Sequence, residues 1–212
     1  MGRSLLIDTT GPVVGVAGWV DGRIVGAHSL RQTAGADGWL TPRIGAVLEA
    51  LGGLDRVGVT VGPGAFTGIR VGVASALGLA LARGVPVVPV SPLALRAALA
   101  PGHPRVIALL DARKGKVYAG WFDTRGPVPV ALAEEEDLAP EVVAHGDPAL
   151  LVGEGAAVYA DLFRSCGHTL LPGADDSPVS AGQKLVDEGA AVPVDRVEIR
   201  YLRDPDARLP PG

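Results

Sequence analysis

The sequence predicts an α/β protein with a mixed β-sheet that carries helices on its faces. Two observations lead to this fold class. The first half of the 212-residue chain opens with three apolar segments joined by hairpin turns, and then alternates helix patterns with strand patterns. The second half begins with the same pattern, which indicates two related lobes. We expect one lobe over residues 1–102 and a smaller, degenerate lobe over residues 103–212.

Hydrophobic periodicity and turn residues set the elements of the first half. Asp21-Gly22 predicts a hairpin turn, Thr41-Pro42 predicts the cap and first turn of one helix, and Ser91-Pro92 predicts those of another. The predicted strands are residues 5–7, 13–20, 23–30, 57–61 and 85–90. The predicted helices are residues 40–51, 67–83 and 93–100. Residues 32–38 are small and polar, so we expect an exposed loop there.

Two stretches of the first lobe recur in the second. The run from Leu5 to Asp8 is matched by the run from Ala108 to Asp111. Residues 16–21 match residues 118–123, each with Gly-Trp near its end, after a slip of one residue. This repetition indicates an internal duplication, with Asp8 and Asp111 ending equivalent strands beside a cleft.

The rest of the second lobe is less regular, and the sequence does not define a full second sheet. An acidic run over residues 133–137 is expected to be a solvated face. Strands are predicted at residues 149–152 and 170–171, and helices at residues 157–166 and 178–188. The segment from Arg200 to Arg203 is expected to be extended and to cross the lobes.

The most informative stretch is the strand, turn and helix start over residues 57–70. Gly62-Pro63-Gly64 ends the strand, and Thr67 is placed to cap the helix that follows. Such a turn aims backbone N–H groups at one point, so an anion or nucleotide phosphate is one interpretation. The residues for that site are Asp8, Thr9, Thr10, Gly62 and Gly64. The alternative, which the spacing alone favours, is that the glycines only permit a tight turn and close packing.

The helix after this turn carries no charge from Val71 to Ala82. A helix that is apolar all round needs cover on every side, and about 12 apolar residues are too few for a bilayer, which needs about 20. We therefore expect no membrane association. Gly68, Gly72 and Ala76 form a stripe of small residues, which favours close approach of a partner helix from a second copy or a relative. The alternative is that the second half of the chain covers this helix.

Composition and motif searches argue against most catalytic chemistries. The net charge of −4 and the lack of a basic run disfavour RNA binding by the chain alone. Cys166 is the single cysteine, and the four histidines lack metal-ligand spacing. No serine-nucleophile motif is present, and no second phosphate loop follows Asp111, where Arg113 is expected to pair with an acid. We expect no catalytic residues, no metal and, since no signal peptide is recognisable, a cytoplasmic protein.

Several motifs resemble the bacterial TsaB (YeaZ) family, the partner subunits in synthesis of threonylcarbamoyladenosine on tRNA. The most specific is the block Gly62-Pro63-Gly64-Ala65-Phe66-Thr67-Gly68-Ile69-Arg70. The strand end Leu6-Ile7-Asp8-Thr9-Thr10 and the predicted helix over residues 40–51 agree with the family as well. Its second-lobe entry and closing motif are similar to Asp111-Ala112-Arg113 with Val117-Tyr118, and to Tyr201-Leu202-Arg203.

The resemblance implies a two-lobed fold of the actin and sugar-kinase type, a duplicated ribonuclease-H-like unit with a degenerate second lobe. It implies a non-catalytic scaffold and activator that binds the catalytic paralogue TsaD, with the ATPase TsaE as a further partner. The same surface is expected to form a self-dimer in isolation, and tRNA is expected only within the complex. This chain is expected to require no cofactor, while ATP or ADP with Mg²⁺ is expected at the subunit junction.

Family members bind their partner through the first two helices of the first lobe. The corresponding residues here are Leu40, Ile44, Val47, Leu48, Thr67, Arg70, Val71, Gly72, Ser75, Ala76 and Leu79. Two departures from the family concern this region. Ala65 replaces a frequent serine, and Ala36-Asp37-Gly38-Trp39 replaces a His-Ser entry to the first helix. We expect Trp39 to add an apolar contact to a partner.

Two other functions remain as alternatives. A small-molecule kinase or ATPase of the same fold is the main one, and the missing second phosphate loop argues against it. A metallopeptidase is the other, and the absence of paired histidines argues against it.

Overall fold

A computed structural model describes residues 2–31, 38–173 and 178–203. Residues 32–37 of the loop predicted over residues 32–38, including the altered positions Ala36 and Asp37, lie outside the described residues. The strands are β1 (Arg3–Asp8), β2 (Val13–Val20), β3 (Arg23–Arg31), β4 (Arg56–Thr60), β5 (Val87–Val90), β6 (Val106–Arg113), β7 (Lys116–Asp123), β8 (Val130–Ala131), β9 (Glu136–Leu138), β10 (Leu150–Val152) and β11 (Thr169–Leu170). The helices are α1 (Leu40–Leu51), α2 (Phe66–Arg83), α3 (Pro92–Ala97), α4 (Pro140–Ala144), α5 (Glu154–Val158), α6 (Ala160–Ser165) and α7 (Gln183–Glu188), with 3₁₀ turns at Pro178–Ala181 and Val194–Arg196.

The first lobe is built on a mixed sheet with the strand order β3-β2-β1-β4-β5. Strands β1, β2 and β3 are antiparallel, whereas β1, β4 and β5 are parallel, as hairpins followed by helical crossovers require. Helices α1 and α2 cover one face, where Val47, Val59 and Ile69 are completely buried. The parallel strands β1 and β4 therefore bring their carboxyl ends to the same edge of the sheet.

The second lobe repeats this arrangement. Its strand order is β8-β7-β6-β10-β11, with β9 also paired to β7, and β6, β10 and β11 are parallel. The register supports the duplication: Leu5 lies opposite Gly18 in the first sheet, and the matching Ala108 lies opposite Gly120 in the second. Two copies of one strand order, each covered by helices, confirm the predicted two-lobed α/β class, a duplicated ribonuclease-H-like fold.

The predicted caps are wrong for two helices and right for a third. Thr41 and Thr67 lie inside the first turns of α1 and α2, and neither helix has a side-chain cap. Ser91 does cap α3, because its hydroxyl accepts hydrogen bonds from the backbone N–H groups of Leu93 and Ala94 at 3.1 Å each. The helix predicted over residues 157–166 is divided into α5 and α6, and the one over residues 178–188 is a 3₁₀ turn followed by α7.

The C-terminal segment returns to the first lobe. Val179 and Val186 are buried with Leu6 and Trp19 on the face of the first sheet opposite α1 and α2. Val192 pairs with Val87 at the edge of the same sheet. The division into lobes at residues 102 and 103 stays a prediction, and the C-terminal segment that it assigns to the second lobe packs on the first sheet through these residues.

The acidic run over residues 133–137, which extends into β9, is not a solvated face throughout. Glu135 accepts a hydrogen bond from the Ser91 hydroxyl and lies 3.0 Å from Nη1 of Arg200. Asp137 accepts hydrogen bonds from Nε and Nη2 of Arg203, both at 2.9 Å. The run therefore binds the extended segment 200–203, whose predicted path across the lobes is confirmed.

Helix α2 is longer than the apolar stretch suggests. It has 18 residues and, by length and composition alone, is the one helix among the described residues that is apolar enough to cross a membrane. Core helices of soluble proteins pass the same test, and α2 packs on its sheet through the buried side chains of Ile69, Val73 and Ala80. Its length therefore gives only weak support to a membrane span.

Candidate partner-binding face beside a closed cleft

The carboxylate of Asp8 stands at the carboxyl end of β1 and is completely buried. One of its oxygens accepts hydrogen bonds from the Thr10 hydroxyl at 2.6 Å, the Thr10 N–H at 3.1 Å and the Thr60 hydroxyl at 2.8 Å. The other oxygen accepts a hydrogen bond from Nη1 of Arg96 at 3.3 Å. Donors within the chain thus occupy this carboxylate, and it is not presented to a ligand.

Arg96 joins the two lobes at this point. It lies on α3, and its Nε and Nη2 donate hydrogen bonds to the two oxygens of Glu154 at 2.6 and 2.7 Å. Glu154 follows β10 of the second lobe. Burial lowers the pKa of the Arg96 guanidinium, but the charges and hydrogen bonds of Glu154 and Asp8 outweigh this effect and raise the pKa above its ordinary value. Arg96 is thus the permanently charged centre of a buried Asp8–Arg96–Glu154 network.

The glycine turn after β4 is filled by the chain itself. A Cβ atom on Gly62 would lie 2.1 Å from the carbonyl oxygen of Arg200, and one on Gly64 would lie 2.6 Å from that of Thr10. Both glycines also have a positive φ, which side chains disfavour. The turn is therefore a point of close backbone approach, as the packing alternative predicts.

The structure brings together the residues of the anion or nucleotide site expected from the sequence. These residues contact one another, Arg96 and Arg200, and the site stays a prediction. They are Asp8, Thr9, Thr10, Gly62 and Gly64.

The equivalent position of the second lobe is built differently. Asp111 is exposed, and it accepts a hydrogen bond from the backbone N–H of Arg113 at 2.9 Å. Within the described residues the Arg113 guanidinium forms no ion pair, so its predicted pairing with an acid is wrong. The cation that fills the cleft is Arg96.

Sequence reasoning missed Arg96 and Glu154, although each left a signal. Arg96 is the single charge in an otherwise apolar helical run from Leu93 to Ala100. Glu154 lies between two glycines directly after β10, which is the strand equivalent to β4 in the duplicated order. A charge at each of these places indicates a buried pair, because an unpaired buried charge is very costly.

The apolar residues predicted to bind a partner on α1 face their own sheet. Leu40, Ile44 and Val47 are buried in the first-lobe core, while Leu48 and Trp39 are half-buried against it. The three buried residues thus belong to the core of this chain, and their predicted contact with a partner stays a prediction. The exposed residues of α1 are Thr41, Pro42, Arg43, Gly45, Ala46, Glu49 and Ala50.

The small-residue stripe of α2 also faces inward. A Cβ atom on Gly68 would lie 2.0 Å from the Thr9 carbonyl oxygen, and one on Gly72 would lie 2.2 Å from the Thr9 hydroxyl. Ala76 is completely buried. The stripe lets α2 approach the end of β1, so Gly72 and Ala76 pack within this chain, and their predicted contact with a partner stays a prediction.

The opposite side of α2 is exposed and mostly uncharged. Val71 and Leu81 are 45% and 69% exposed, and Ser75 and Leu79 are half-buried at its edges. Its exposed positions follow helical spacing, and we call them the α2 outer face: Thr67, Arg70, Val71, Ala74, Gly78, Leu81 and Ala82.

A metal centre has no visible ligand set in the described part of the chain. Groups of three or more His, Cys, Asp or Glu side chains that could hold an ion are absent from residues 2–31, 38–173 and 178–203.

Comparisons with known proteins agree with this architecture. A family model described as TsaD, tRNA N6-adenosine threonylcarbamoyltransferase, matches residues 47–127. An uncharacterized protein of Mycobacterium tuberculosis is 34% identical and covers 96% of this chain and 93% of its own length. The solved structure of YeaZ from Pseudomonas aeruginosa superposes with a TM-score of 0.78 at 28% identity, over 95% of this chain and 100% of that one.

The tRNA threonylcarbamoyladenosine biosynthesis protein TsaB of Escherichia coli is 33% identical over 95% of both chains. Identity of this degree over nearly the full length of both sequences, with the same fold in a solved relative, is sufficient to assign a family. The chain belongs to the TsaB (YeaZ) family.

Proposed function

We propose that this chain is a non-catalytic scaffold and activator subunit in the formation of N6-threonylcarbamoyladenosine on tRNA. In this proposal it binds a TsaD-type catalytic paralogue through the outward surfaces of α1 and α2. The observation that carries the proposal is the α2 outer face, an exposed apolar surface beside a cleft that the chain itself fills. The pathway comes from the names of the relatives and of the matching family.

The closed cleft supports the non-catalytic part. Catalysis on a phosphate or carbonyl group needs donors or a metal site that the substrate can reach. Here Asp8 is held by Thr10, Thr60 and Arg96, and Glu154 is held by Arg96. Arg96 therefore pairs with both buried acids, Asp8 of the first lobe and Glu154 of the second.

The surface chemistry supports the binding part. Between Arg70 and Arg83 the α2 outer face has no charge, and the neighbouring outward surface of α1 includes Gly45, Ala46 and Ala50. Small residues permit a partner helix to approach closely, and depletion of charge is typical of the core of a protein interface. The charged side chains of Arg43, Glu49 and Arg70 then form a polar rim.

Further partners follow from the same proposal. A TsaE-type ATPase completes the assembly, with ATP or ADP and Mg²⁺ at the subunit junction, and tRNA binds only to the whole complex. Without the paralogue, two copies of this chain pair through the same face. The expected compartment is the cytoplasm.

Threonylcarbamoyl incorporation into tRNA tests the proposal. The synthase, the catalytic subunit and the ATPase are combined with and without this chain. We expect incorporation to require the chain, and the chain alone to give none. Incorporation that does not depend on the chain, with matched partners and an active positive control, would overturn the proposal. ATP turnover by the isolated chain would then support the kinase or ATPase alternative.

A further inference from the structure

An exposed aromatic and cationic cluster lies at the start of α2. The rings of Phe66 and Tyr201 have centroids 5.3 Å apart, and both residues remain about two-fifths exposed. The guanidinium carbon of Arg70 lies 3.8 Å from the centroid of the Phe66 ring, and its Nε donates a hydrogen bond to the Tyr201 hydroxyl at 3.4 Å. Two rings from distant parts of the chain thus fix the direction of one arginine.

The terminal nitrogens of Arg70 have no acidic partner in the described part of the chain. A guanidinium presents its N–H groups as a rigid fork that matches a carboxylate, and a stacked arginine has already lost much of its rotamer freedom. Tyrosine and arginine are also the residue types in which interface binding energy concentrates. The cluster therefore has the chemistry of a preformed anchor.

The second lobe holds this cluster in place through the segment 197–203, which we call the strap. The backbone N–H of Arg200 donates to the carbonyl of Val61 at 2.8 Å, directly beside the glycine turn. Arg200 pairs with Glu135 at 3.0 Å, and Arg203 donates two hydrogen bonds to Asp137. Tyr201 is thus fastened on both sides by arginines that bind second-lobe acids.

We infer that Phe66, Arg70 and Tyr201 form an anchor for a carboxylate on the catalytic paralogue, and that Arg200 and Arg203 let the second lobe position it. This inference rests on the proposed function. Arg70 touches the partner, whereas Arg200 and Arg203 are positioning residues that act through Tyr201. The degenerate second lobe thereby gains a role that its closed cleft does not provide.

The surroundings of Arg70 favour a protein carboxylate over an RNA phosphate. The α2 outer face continues from Arg70 through Val71 and Ala74 to Leu81, which suits a protein surface. RNA backbones are held by clusters of Lys and Arg, and this chain has a net charge of −4. An arginine at the rim of an apolar surface matches an acidic side chain at the rim of a partner.

Direct binding to the purified catalytic paralogue tests the anchor. We expect Arg70→Ala to weaken the dissociation constant by about 10- to 100-fold and to flatten its dependence on NaCl, because an ion pair is lost. Arg164→Ala, at an exposed second-lobe arginine, is the matched control and should bind like wild type. Tyr201→Phe should bind within about threefold of wild type, since the ring remains, and Tyr201→Ala should be about 10-fold weaker.

A double-mutant cycle tests the strap. We expect Arg203→Ala to weaken binding several-fold, and Arg203→Ala with Tyr201→Ala to bind no more weakly than Tyr201→Ala alone. A merely structural role would instead give additive losses and a lower melting temperature. Asp137→Asn, which keeps an acceptor for Arg203, provides a milder variant if Arg203→Ala fails to fold.

The outcomes separate the two proposals. If wild type does not bind the paralogue, both the proposed function and the anchor are wrong. If wild type binds and Arg70→Ala binds equally well, only the anchor is wrong. If Arg70→Ala keeps its affinity for the paralogue but the assembled complex loses affinity for tRNA, the ligand is a phosphate and the carboxylate assignment is overturned. Additive losses in the cycle overturn the role of the strap.

Discussion

At the scale of single residues, the glycines of α2 meet opposite surroundings. Gly68 lies against the backbone of Thr9, where a Cβ atom would come within 2.0 Å of a carbonyl oxygen. Gly78, three turns further on, has no atom within 4 Å of the same position. One glycine is therefore required by packing, and the other only lowers the intrinsic stability of the helix.

Alanine substitutions separate these two roles. Gly68→Ala forces the backbone of Thr9 or of α2 to move, and we expect a loss of about 1–3 kcal/mol in the free energy of unfolding. Gly78→Ala, its matched control, should gain up to about 1 kcal/mol from the better helix propensity of alanine. Urea unfolding of dilute protein measures both. Equal effects of the two substitutions would contradict this assignment.

Residue-level prediction from the sequence succeeded where the signal is local. Asp8 was placed at a strand end because an apolar run precedes it. Its partner Arg96 is 88 residues away, and Arg96 is a further 58 residues from Glu154. Periodicity and motif spacing carry no information on such pairs, so the sequence presented Asp8 as a free acid although it is a neutralised one.

At the scale of elements, α1 was predicted from residue 40 to residue 51 because its apolar spacing is regular and Gly52 follows it. The central strand and the helix after the glycine turn were equally clear. Strands β8, β9 and β11 have only two or three residues, which is too short for any period to be detected. The small-residue stripe of α2 faces β1, whereas the sequence favours a partner helix there, because small residues permit close contact with either one.

The corrected orientation of α2 changes which substitution tests its partner surface. Ala74 is exposed on the α2 outer face, so Ala74→Glu should leave the fold intact while a charge enters the centre of the interface. We expect at least a 10-fold loss of affinity for the paralogue and loss of self-association. Ala157→Glu places the same charge on an exposed position of α5 and should have no effect. Analytical ultracentrifugation and circular dichroism provide the two readouts, and unchanged association of Ala74→Glu would exclude this face.

The stability that Asp137 gives to the fold by binding the strap should decrease at acidic pH. Burial raises the pKa of Asp137, but the hydrogen bond and charge of Arg203, with help from Lys116, outweigh burial and hold the pKa below its ordinary value of 3.8. A carboxyl group whose pKa is lower in the folded than in the unfolded protein stabilises the fold at pH values above its unfolded-state pKa. This stabilisation is lost as the pH falls through the folded-state pKa. Wild type should therefore exceed Asp137→Asn in stability at pH 7, and the difference should shrink below about pH 4.

Denaturant unfolding of both proteins at pH 7 and at about pH 3 measures this difference. Asp161→Asn changes a fully exposed acid 3.8 Å from Arg164 and is the control. A difference between wild type and Asp137→Asn that is independent of pH would show that the carboxylate charge does not hold the strap.

At the scale of the whole molecule, the lobes are joined by the Asp8–Arg96–Glu154 network, the strap and the C-terminal segment on the first sheet. Among these three contacts, the buried network is the one in which a single side chain, that of Arg96, binds acids of both lobes. Removing its charge leaves two buried carboxylates without a counter-ion. Such a change commonly lowers the free energy of unfolding by about 3–5 kcal/mol.

We therefore expect Arg96→Met to lose about 3–5 kcal/mol of unfolding free energy. Adding Glu154→Met should restore part of this loss, because one of the two unpaired carboxylates is then gone and Asp8 keeps its threonine donors. Arg105→Met breaks the exposed pair with Asp147 and should cost less than about 1 kcal/mol. Thermal and urea unfolding provide the measurement. A double variant less stable than Arg96→Met alone would show that Glu154 contributes more than its pairing with Arg96.

The return of residues 178–188 to the first sheet has a consequence for protein synthesis. A ribosome synthesises the chain from its N-terminus, so every strand of the first sheet has been made once Val90 is translated. The face that holds Leu6 and Trp19 stays without its cover until Val179 and Val186 are made, after the whole second sheet. The nascent first lobe therefore carries an exposed apolar surface while the second sheet is synthesised, and its folding is completed only when the second lobe is already present.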